Sequence, residues 1–299
     1  MKPSTGNDYR TRIGRVLAHI ASHLDAELSL AELAAIAHVS PYHFHRLFRA
    51  MTGESVAALV RRLRLETAAK TLREGDAAVI DVALAAGYGA PEAFSRAFLA
   101  GFGMAPSEFR RVLIPPRYTP PLSLELRLDR AEMRLALEPS SGGTELPVAI
   151  ETLPDRLAAC LRHVGPYDDV PVSFERLYRW ALGEGLLTQG GLLMGLSYDN
   201  PDLVASDDLR YDACLALAAP RPLPVGFRLE TLRGGRYAVH VLRGPYSGIR
   251  DTFRRIFGKW LPVSDEEIDD RPCLELYLND PAGVPESELL TKICVPLRP

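Results

Sequence analysis

Cysteine is scarce in this chain: Cys160, Cys214, Cys273 and Cys294 are the only four among 299 residues. No pair of them has zinc-ligand spacing, which excludes a zinc finger as the organising device, and Cys160, Cys214 and Cys294 lie inside apolar segments. Core packing is the simplest use for such thiols, with a disulfide or a metal as the alternatives. Long apolar runs are missing too. No stretch of eighteen apolar residues exists, and the opening MKPSTGNDYR has no apolar core of the kind a secretory signal needs. No membrane span is expected, and the cytoplasm is the expected location. Nor does a nucleophile, histidine and acid set stand out, or a metal cluster; His163 and His240 flank strand patterns without a visible partner. No catalytic residue, metal or cofactor is expected.

What is present is the composition of a soluble globular protein, 47% hydrophobic and 24% charged, long enough for two domains with cores of their own. The net charge of −3 hides an asymmetry. Residues 1–116 carry 14 Lys and Arg against 11 Asp and Glu, and the remainder carries 21 against 27. A mildly basic module that approaches phosphates, followed by an acidic one that does not, fits this distribution.

Phe44-His45-Arg46-Leu47-Phe48 followed by Gly53 recurs as Phe94-Ser95-Arg96-Ala97-Phe98 followed by Gly103. The two aromatics of each copy, four apart, share a helix face, and the arginine between them projects elsewhere. Ahead of the first copy, Ser29 and Glu32 form a capping box for a short helix lined by Leu30, Leu33, Ala34 and Ala37. A turn at His38-Val39 leads to Ser40-Pro41, expected to cap and open the next helix. There Phe44, Leu47, Phe48 and Met51 face inward, leaving Tyr42, His45, Arg46 and Arg49 outward. In the second copy Val79 to Ala83, a turn at Gly87-Tyr88-Gly89 and a helix entered at Ala90-Pro91-Glu92 repeat the plan, with Glu92, Ser95 and Arg96 outward. Ser55 to Leu72 reads as a long helix between the units, rich in Arg61, Arg62 and Arg64. An outward face bearing arginine is either a solvated surface or one built to enter a DNA groove, and the duplication favours the groove. Two adjacent major grooves on one DNA face lie about 34 Å apart, a separation the long helix would fix.

Residues 8–112 resemble the DNA-binding domain of the AraC/XylS transcription regulators. The resemblance is carried by Ala37, Ser40, Arg46, Phe48, Gly53, Leu65 behind the arginine cluster, Ile80, Val82, Ala83, Gly87-Tyr88, Phe94, Arg96-Ala97-Phe98, Gly103, Pro106 and Phe109-Arg110. It implies base-reading positions at Tyr42, His45 and Arg46 in the first docking helix, and at Pro91, Glu92, Ser95 and Arg96 in the second. The chain departs from the family pattern at Ala90, where a capping Ser or Asp is usual, at Leu99, where Lys or Arg is usual, and at the acidic Glu92. The first helix is therefore expected to contribute more specificity and affinity than the second.

Pro115-Pro116-Arg117-Tyr118-Thr119-Pro120-Pro121 is incompatible with helix and stiff enough to separate two bodies. Leu122 to Leu137 then reads as a hairpin, with a helix in its second half nearly as good a reading. Beyond this linker a second repeat appears at an offset of 79. Ile150-Glu151-Thr152-Leu153 matches Leu229-Glu230-Thr231-Leu232, Gly165-Pro166-Tyr167 matches Gly244-Pro245-Tyr246, and Tyr198 falls on Tyr277. Each copy reads as a strand, a Gly-Pro-Tyr turn, an amphipathic helix (Val172 to Leu182; Ile249 to Trp260) and two further strands. Two such units side by side make a pseudo-twofold α+β domain with a cleft between the copies.

This half resembles the GyrI-like effector-binding domain, on the strength of Cys273-Leu274-Glu275-Leu276-Tyr277-Leu278-Asn279-Asp280-Pro281. The resemblance implies a pocket glutamate at Glu275, two residues before Tyr277 and on the same strand face. At the offset of 79 its mate is Leu196, so one copy alone supplies a carboxylate, an asymmetry suited to one cationic or polar ligand against aromatic walls. The alternative for Glu275 is an outward residue paired with an arginine. Tyr167, Tyr198, Tyr246, Trp180 and Trp260 are wall candidates, each with core packing as the alternative.

The expected architecture is thus two domains: an all-α double helix-turn-helix (homeodomain-like) N-terminal domain over 8–112, and an α+β duplicated GyrI-like domain over 147–299. The linker spans 113–146, and the two repeats of the C-terminal domain cover about 147–219 and 226–299. The expected function is a sequence-specific transcription regulator whose C-terminal domain binds a small-molecule effector. Double-stranded promoter DNA, the effector and RNA polymerase are its partners, and no membrane is involved. The alternatives are a GyrI-like hydrolase, with Glu275 as general base, or a protein-binding module, either one tethered to a DNA-binding domain.

Overall fold

The computed structural model describes residues 5–26, 28–112, 146–187, 191–199 and 204–299. The linker, apart from buried Leu146, lies outside the described residues, and with it the hairpin-or-helix stretch Leu122 to Leu137.

Seven helices make the first part: α1 (Thr5–Ser22), α2 (Leu30–Ile36), α3 (Pro41–Thr52), α4 (Val56–Glu74), α5 (Val79–Ala85), α6 (Pro91–Phe102) and α7 (Pro106–Phe109). Ser29 caps α2, its Oγ accepting the Glu32 N–H at 3.2 Å, and Ser55 caps α4 in the same way through Ala58. Ser40 makes no capping bond, so Pro41 alone marks the start of α3. The docking helices α3 and α6 have twelve residues each and both stop at a left-handed glycine, Gly53 (φ 80°) and Gly103 (φ 73°). Phe44, Leu47, Phe48 and Met51 are buried as their spacing predicts, and so are Phe94, Phe98 and Phe102. The arginines of α4 divide. Arg61 is exposed, whereas Arg62 is buried between Glu54 (2.5 Å) and Glu66 (3.1 Å), and Arg64 donates to the Leu24 carbonyl at 2.7 Å.

Among the described residues the C-terminal half is an eight-stranded antiparallel sheet carrying two α-helices. In chain order it comprises β1 (Ala149–Leu153), β2 (Arg156–Val164), α8 (Val170–Gly183), β3 (Leu193–Ser197), β4 (Arg210–Ala216), β5 (Phe227–Leu232), β6 (Gly235–Arg243), α9 (Ile249–Arg255, continued by a π-helical turn Ile256–Trp260), β7 (Cys273–Tyr277) and β8 (Leu290–Pro296). The strand order is β1-β6-β8-β7-β3-β4-β2-β5. Each copy has two strands before its helix where one was expected, because Pro154-Asp155 and Arg233-Gly234 turn the chain at a corner. The corners meet, with the Gly234 N–H donating to Asp155 Oδ1 at 2.7 Å.

The centre of the sheet is the β3–β7 pair, in which Gly195 faces Glu275. The repeats keep the offset of 79 through β2 and β6, but β3 and β4 (from Leu193 and Arg210) match β7 and β8 (from Cys273 and Leu290) at 80. An extra residue between α9 and β7 accounts for the change. The mate of Glu275 is therefore Gly195 rather than Leu196, and the mate of Tyr277 is Ser197 rather than Tyr198. Cys214 and Cys294 come into register, and all four cysteines are buried free thiols.

The expectation of two bodies held apart is corrected by the packing. The second helix-turn-helix closes on its own core of Leu65, Leu72, Phe94, Phe98, Phe102 and Phe109. The first does not. Tyr9, Ile13, Ile20, Phe44 and Phe48 form one continuous core with Phe253, Ile256, Phe257, Leu261 and Ile293 of the C-terminal half. Polar contacts fix the junction: Tyr9 Oη accepts the Ile268 N–H at 2.9 Å, and Arg12 pairs with Glu267 at 2.8 Å. The apolar stripe of α1 packs on Leu261 to Val263 and α3 packs on the π-helical turn Ile256–Trp260, so the area removed from water stabilises the junction as it does any core.

Candidate ligand and DNA-binding sites

Glu275 stands mid-strand in β7 and is only 4% exposed. Its Oε2 accepts hydrogen bonds from Tyr211 (2.7 Å) and Tyr277 (2.8 Å), whose hydroxyl oxygens are 2.9 Å apart. Tyr277 shares the strand face by the period of two. Tyr211 comes from β4 and must reach across β3, which it does over Gly195: a Cβ there would lie 1.7 Å from Tyr211 Oη. Around this carboxylate the rings form a cage. Tyr167 packs on Tyr211 at 5.7 Å between centroids, Phe174 on Tyr211 at 6.1 Å and on Tyr277 at 5.2 Å, and Tyr246 on Tyr277 at 5.3 Å. Tyr167 and Tyr246 are the tyrosines of the two Gly-Pro-Tyr turns, which the pseudo-twofold brings to either side of the cage.

Burial pushes the Glu275 carboxyl above its ordinary value, against the pull of the two tyrosine hydroxyls and the nearby positive charge of Arg46. Burial likewise pushes the Tyr211 and Tyr277 phenols well up, so both remain donors. Among the described residues Glu275 makes no ion pair. A buried carboxylate in an aromatic cage with no cation at contact distance favours an incoming positive charge.

Three wall candidates lie elsewhere. Tyr198 turns its hydroxyl to buried Asp212 at 2.8 Å, part of a network with Arg162 and Arg228. Trp180 packs on Phe227 at 5.3 Å, and Trp260 packs against the shared core. The cage residues that sequence reasoning missed are Tyr211, Phe174 and the small Gly195. Matching the repeats at 80 across the β3–β7 segment would have set Gly195 against Glu275 and exposed the gap.

The two docking helices are presented differently. On α6, Glu92 and Arg96 are exposed and Ser95 is half-buried, while Ala90 supplies no side-chain cap. On α3 the expectation that Tyr42 and Arg46 face outward is corrected. Arg46 Nη2 donates to Ser197 Oγ at 2.9 Å and to the Asp199 carbonyl at 3.3 Å, and its guanidinium lies over the Phe253 ring at 4.7 Å. Tyr42 packs edge-on against Tyr198 at 6.3 Å. His43, between them in the chain, bonds through Nε2 to the Arg271 carbonyl at 2.9 Å. His45 borders a groove of about 520 Å³ against α4 and Tyr88, and Arg49 is half-buried.

Residues 146–298 match the family model of the GyrI-like small molecule binding domain, and residues 33–112 match that of a helix-turn-helix domain. The chain belongs to the GyrI-like family. A DNA gyrase inhibitor of Edwardsiella piscicida is 36% identical over 51% of this chain and 99% of its own length. Two relatives share the two-domain arrangement: transcriptional regulator Rob of Salmonella typhimurium, 27% identical over 83% of both chains, and the right origin-binding protein of Escherichia coli, 27% identical over 95% of this chain and 96% of its own. An AraC-type helix-turn-helix domain thus precedes a GyrI-like small-molecule-binding domain, the organisation of a DNA-binding regulator with an effector site. No described helix is long and apolar enough to cross a membrane, and no group of three or more potential metal ligands occurs among the described residues.

Proposed function

We propose that this GyrI-like regulator binds a small organic cation in the cage around Glu275, and that the bound cation biases how α3 and α6 engage promoter DNA. The observation that carries the reading is the buried Glu275 carboxylate, bonded to two phenols and ringed by Tyr167, Phe174 and Tyr246. Tyr42, His45, Arg46 and Arg49 on α3, and Glu92, Ser95 and Arg96 on α6, are the DNA-facing set, with Arg46 and Arg96 reading base edges or gripping phosphates. RNA polymerase is the further partner such a regulator would engage, in the cytoplasm and without catalysis by this chain. Binding-site selection from random DNA, with and without a panel of aromatic cations, tests the reading. A selected site whose affinity ignores the whole panel counts against it. An Arg46→Ala chain that loses about 1–3 kcal/mol of DNA binding together with preference for one base identifies Arg46 as a base reader, and unchanged affinity and preference removes it.

The similarity of the C-terminal half to a DNA gyrase inhibitor favours a second reading, in which that half acts on gyrase. Supercoiling by purified gyrase in the presence of the full chain separates the two: inhibition at equimolar chain supports the second reading, and none removes it.

A further inference from the structure

Arg46 holds a position that its repeat mate Arg96 does not. Arg96 is exposed on α6, while Arg46 is carried by α3 into the C-terminal domain, where its Nη1 is shut off from solvent. Its seat has the elements a bound organic cation would need. An aromatic face lies beneath it in Phe253 at 4.7 Å, with Tyr42 at 5.9 Å, and two oxygen acceptors face it in Ser197 Oγ and the Asp199 carbonyl. That same carbonyl accepts from Tyr167 at 2.8 Å, and Tyr167 is a wall of the Glu275 cage. The seat and the cage are contiguous, and the Arg46 charge is felt at Glu275.

The rest of α3 is held in the same place. His43 bonds to the Arg271 carbonyl, and Ala50 approaches the π-helical turn of α9 so closely that a Cβ at Gly258 would lie 2.6 Å from the Ala50 carbonyl oxygen. A helix seated in this way cannot also lie in a major groove, because Tyr42 and Arg46, which would have to reach DNA, are the side chains in the seat.

We propose that Arg46 is an internal occupant of the effector site: the structure is a closed state in which the first reading helix is latched onto the C-terminal domain, and a planar organic cation of the amidinium or guanidinium class competes with Arg46 for the seat beside Glu275. The inference rests on the cage being a cation site, as set out under Proposed function. Ligand and DNA then act on the same equilibrium from opposite sides. The cation occupies the seat only when α3 leaves it, and DNA accepts α3 only when it has left, so each strengthens the binding of the other. The second unit, with its own core and its exposed Arg96, is available in both states.

Arginine-selective modification of the full chain by phenylglyoxal, read residue by residue by mass spectrometry, tests the latch with Arg96 as internal reference. In the free chain Arg46 is expected to react at least about tenfold more slowly than Arg96, and saturating benzamidine is expected to close most of that gap. A Gly258→Leu chain, wedged at Ala50, is expected to react fast at Arg46, to bind selected DNA several-fold more tightly than wild type, and to show no further response to benzamidine. Equal rates at Arg46 and Arg96 in the free wild-type chain overturn the latch, whatever the fate of the variant. Calorimetry separates the two layers. Benzamidine that binds wild type but leaves the Arg46 rate unchanged overturns the competition. If benzamidine gives no binding heat, the cage reading fails and the ligand's part in the proposal falls with it, while the Arg46 to Arg96 ratio still decides the latch.

Discussion

His43 is the residue at which acidity reaches the junction between the two halves. Its Nε2–H donates to the Arg271 carbonyl, and a second proton would have to be held in a buried site close to the Arg46 charge. Burial pulls its pKa down to about 3, despite the opposing pull of the Arg271 and Asp269 carbonyls. A folded value below the unfolded one means that the stability is fully present above the usual histidine range and is lost as pH falls towards 3. By pH 5 the loss amounts to about 2 kcal/mol. Urea melts of wild type and His43→Gln across pH 7 to 5 check this, the variant lacking the slope; parallel slopes would rule His43 out. The Glu275 carboxyl is shifted the other way, upward, and its consequence for ligand binding also comes on acidification. Its raised carboxyl value means that the charge a cation needs is lost as pH falls from above the usual carboxylate range, and benzamidine affinity should weaken with it. Calorimetric titrations at pH 7 and 5 measure the effect, and equal affinity at both would show that the carboxylate charge is not what binds.

At the scale of elements, β3 matters for what it omits. Gly195 leaves the space through which Tyr211 crosses to Glu275, so Gly195→Ala should displace the Tyr211 ring, cost about 1–3 kcal/mol of stability and abolish cation binding while the sheet still forms. A folded Gly195→Ala chain with wild-type affinity would show the cage does not depend on Tyr211. The helices were legible in the sequence because their signals are local: Phe44, Phe48, Phe94 and Phe98 fall at helical spacing, and Gly53 and Gly103 stop each docking helix. Glu275 with Tyr277 was legible for the same reason, two residues apart on one strand. Tyr211 was not, since it arrives from a strand two places away, and the extra residue before β7 broke the offset that would have pointed to Gly195. Aromatic type alone does not say which sheet face or which side of a helix a ring occupies, so in the sequence Tyr198, Trp180 and Trp260 look the same as the cage walls Tyr167 and Tyr246.

At the scale of the whole molecule, a polar helix face reads the same whether it meets water, DNA or another domain, and so the seating of Tyr42 and Arg46 on the C-terminal half left no mark in the periodicity. The cores give a consequence of their own. Because the first unit shares its core with the C-terminal domain and the second does not, Phe257→Ala and Phe98→Ala, each costing about 3–5 kcal/mol, should lower different transitions in a calorimetric scan. A single transition lowered equally by both would mean one cooperative body. The central claim is that a cation at Glu275 governs DNA binding by the first unit. Its most direct test is fluorescence anisotropy of the full chain on its selected DNA, titrated with benzamidine, for wild type and Glu275→Gln. The predicted result is several-fold tighter DNA binding by wild type as benzamidine saturates, with a flat response from Glu275→Gln; identical responses from the two proteins, rising or flat, would contradict it.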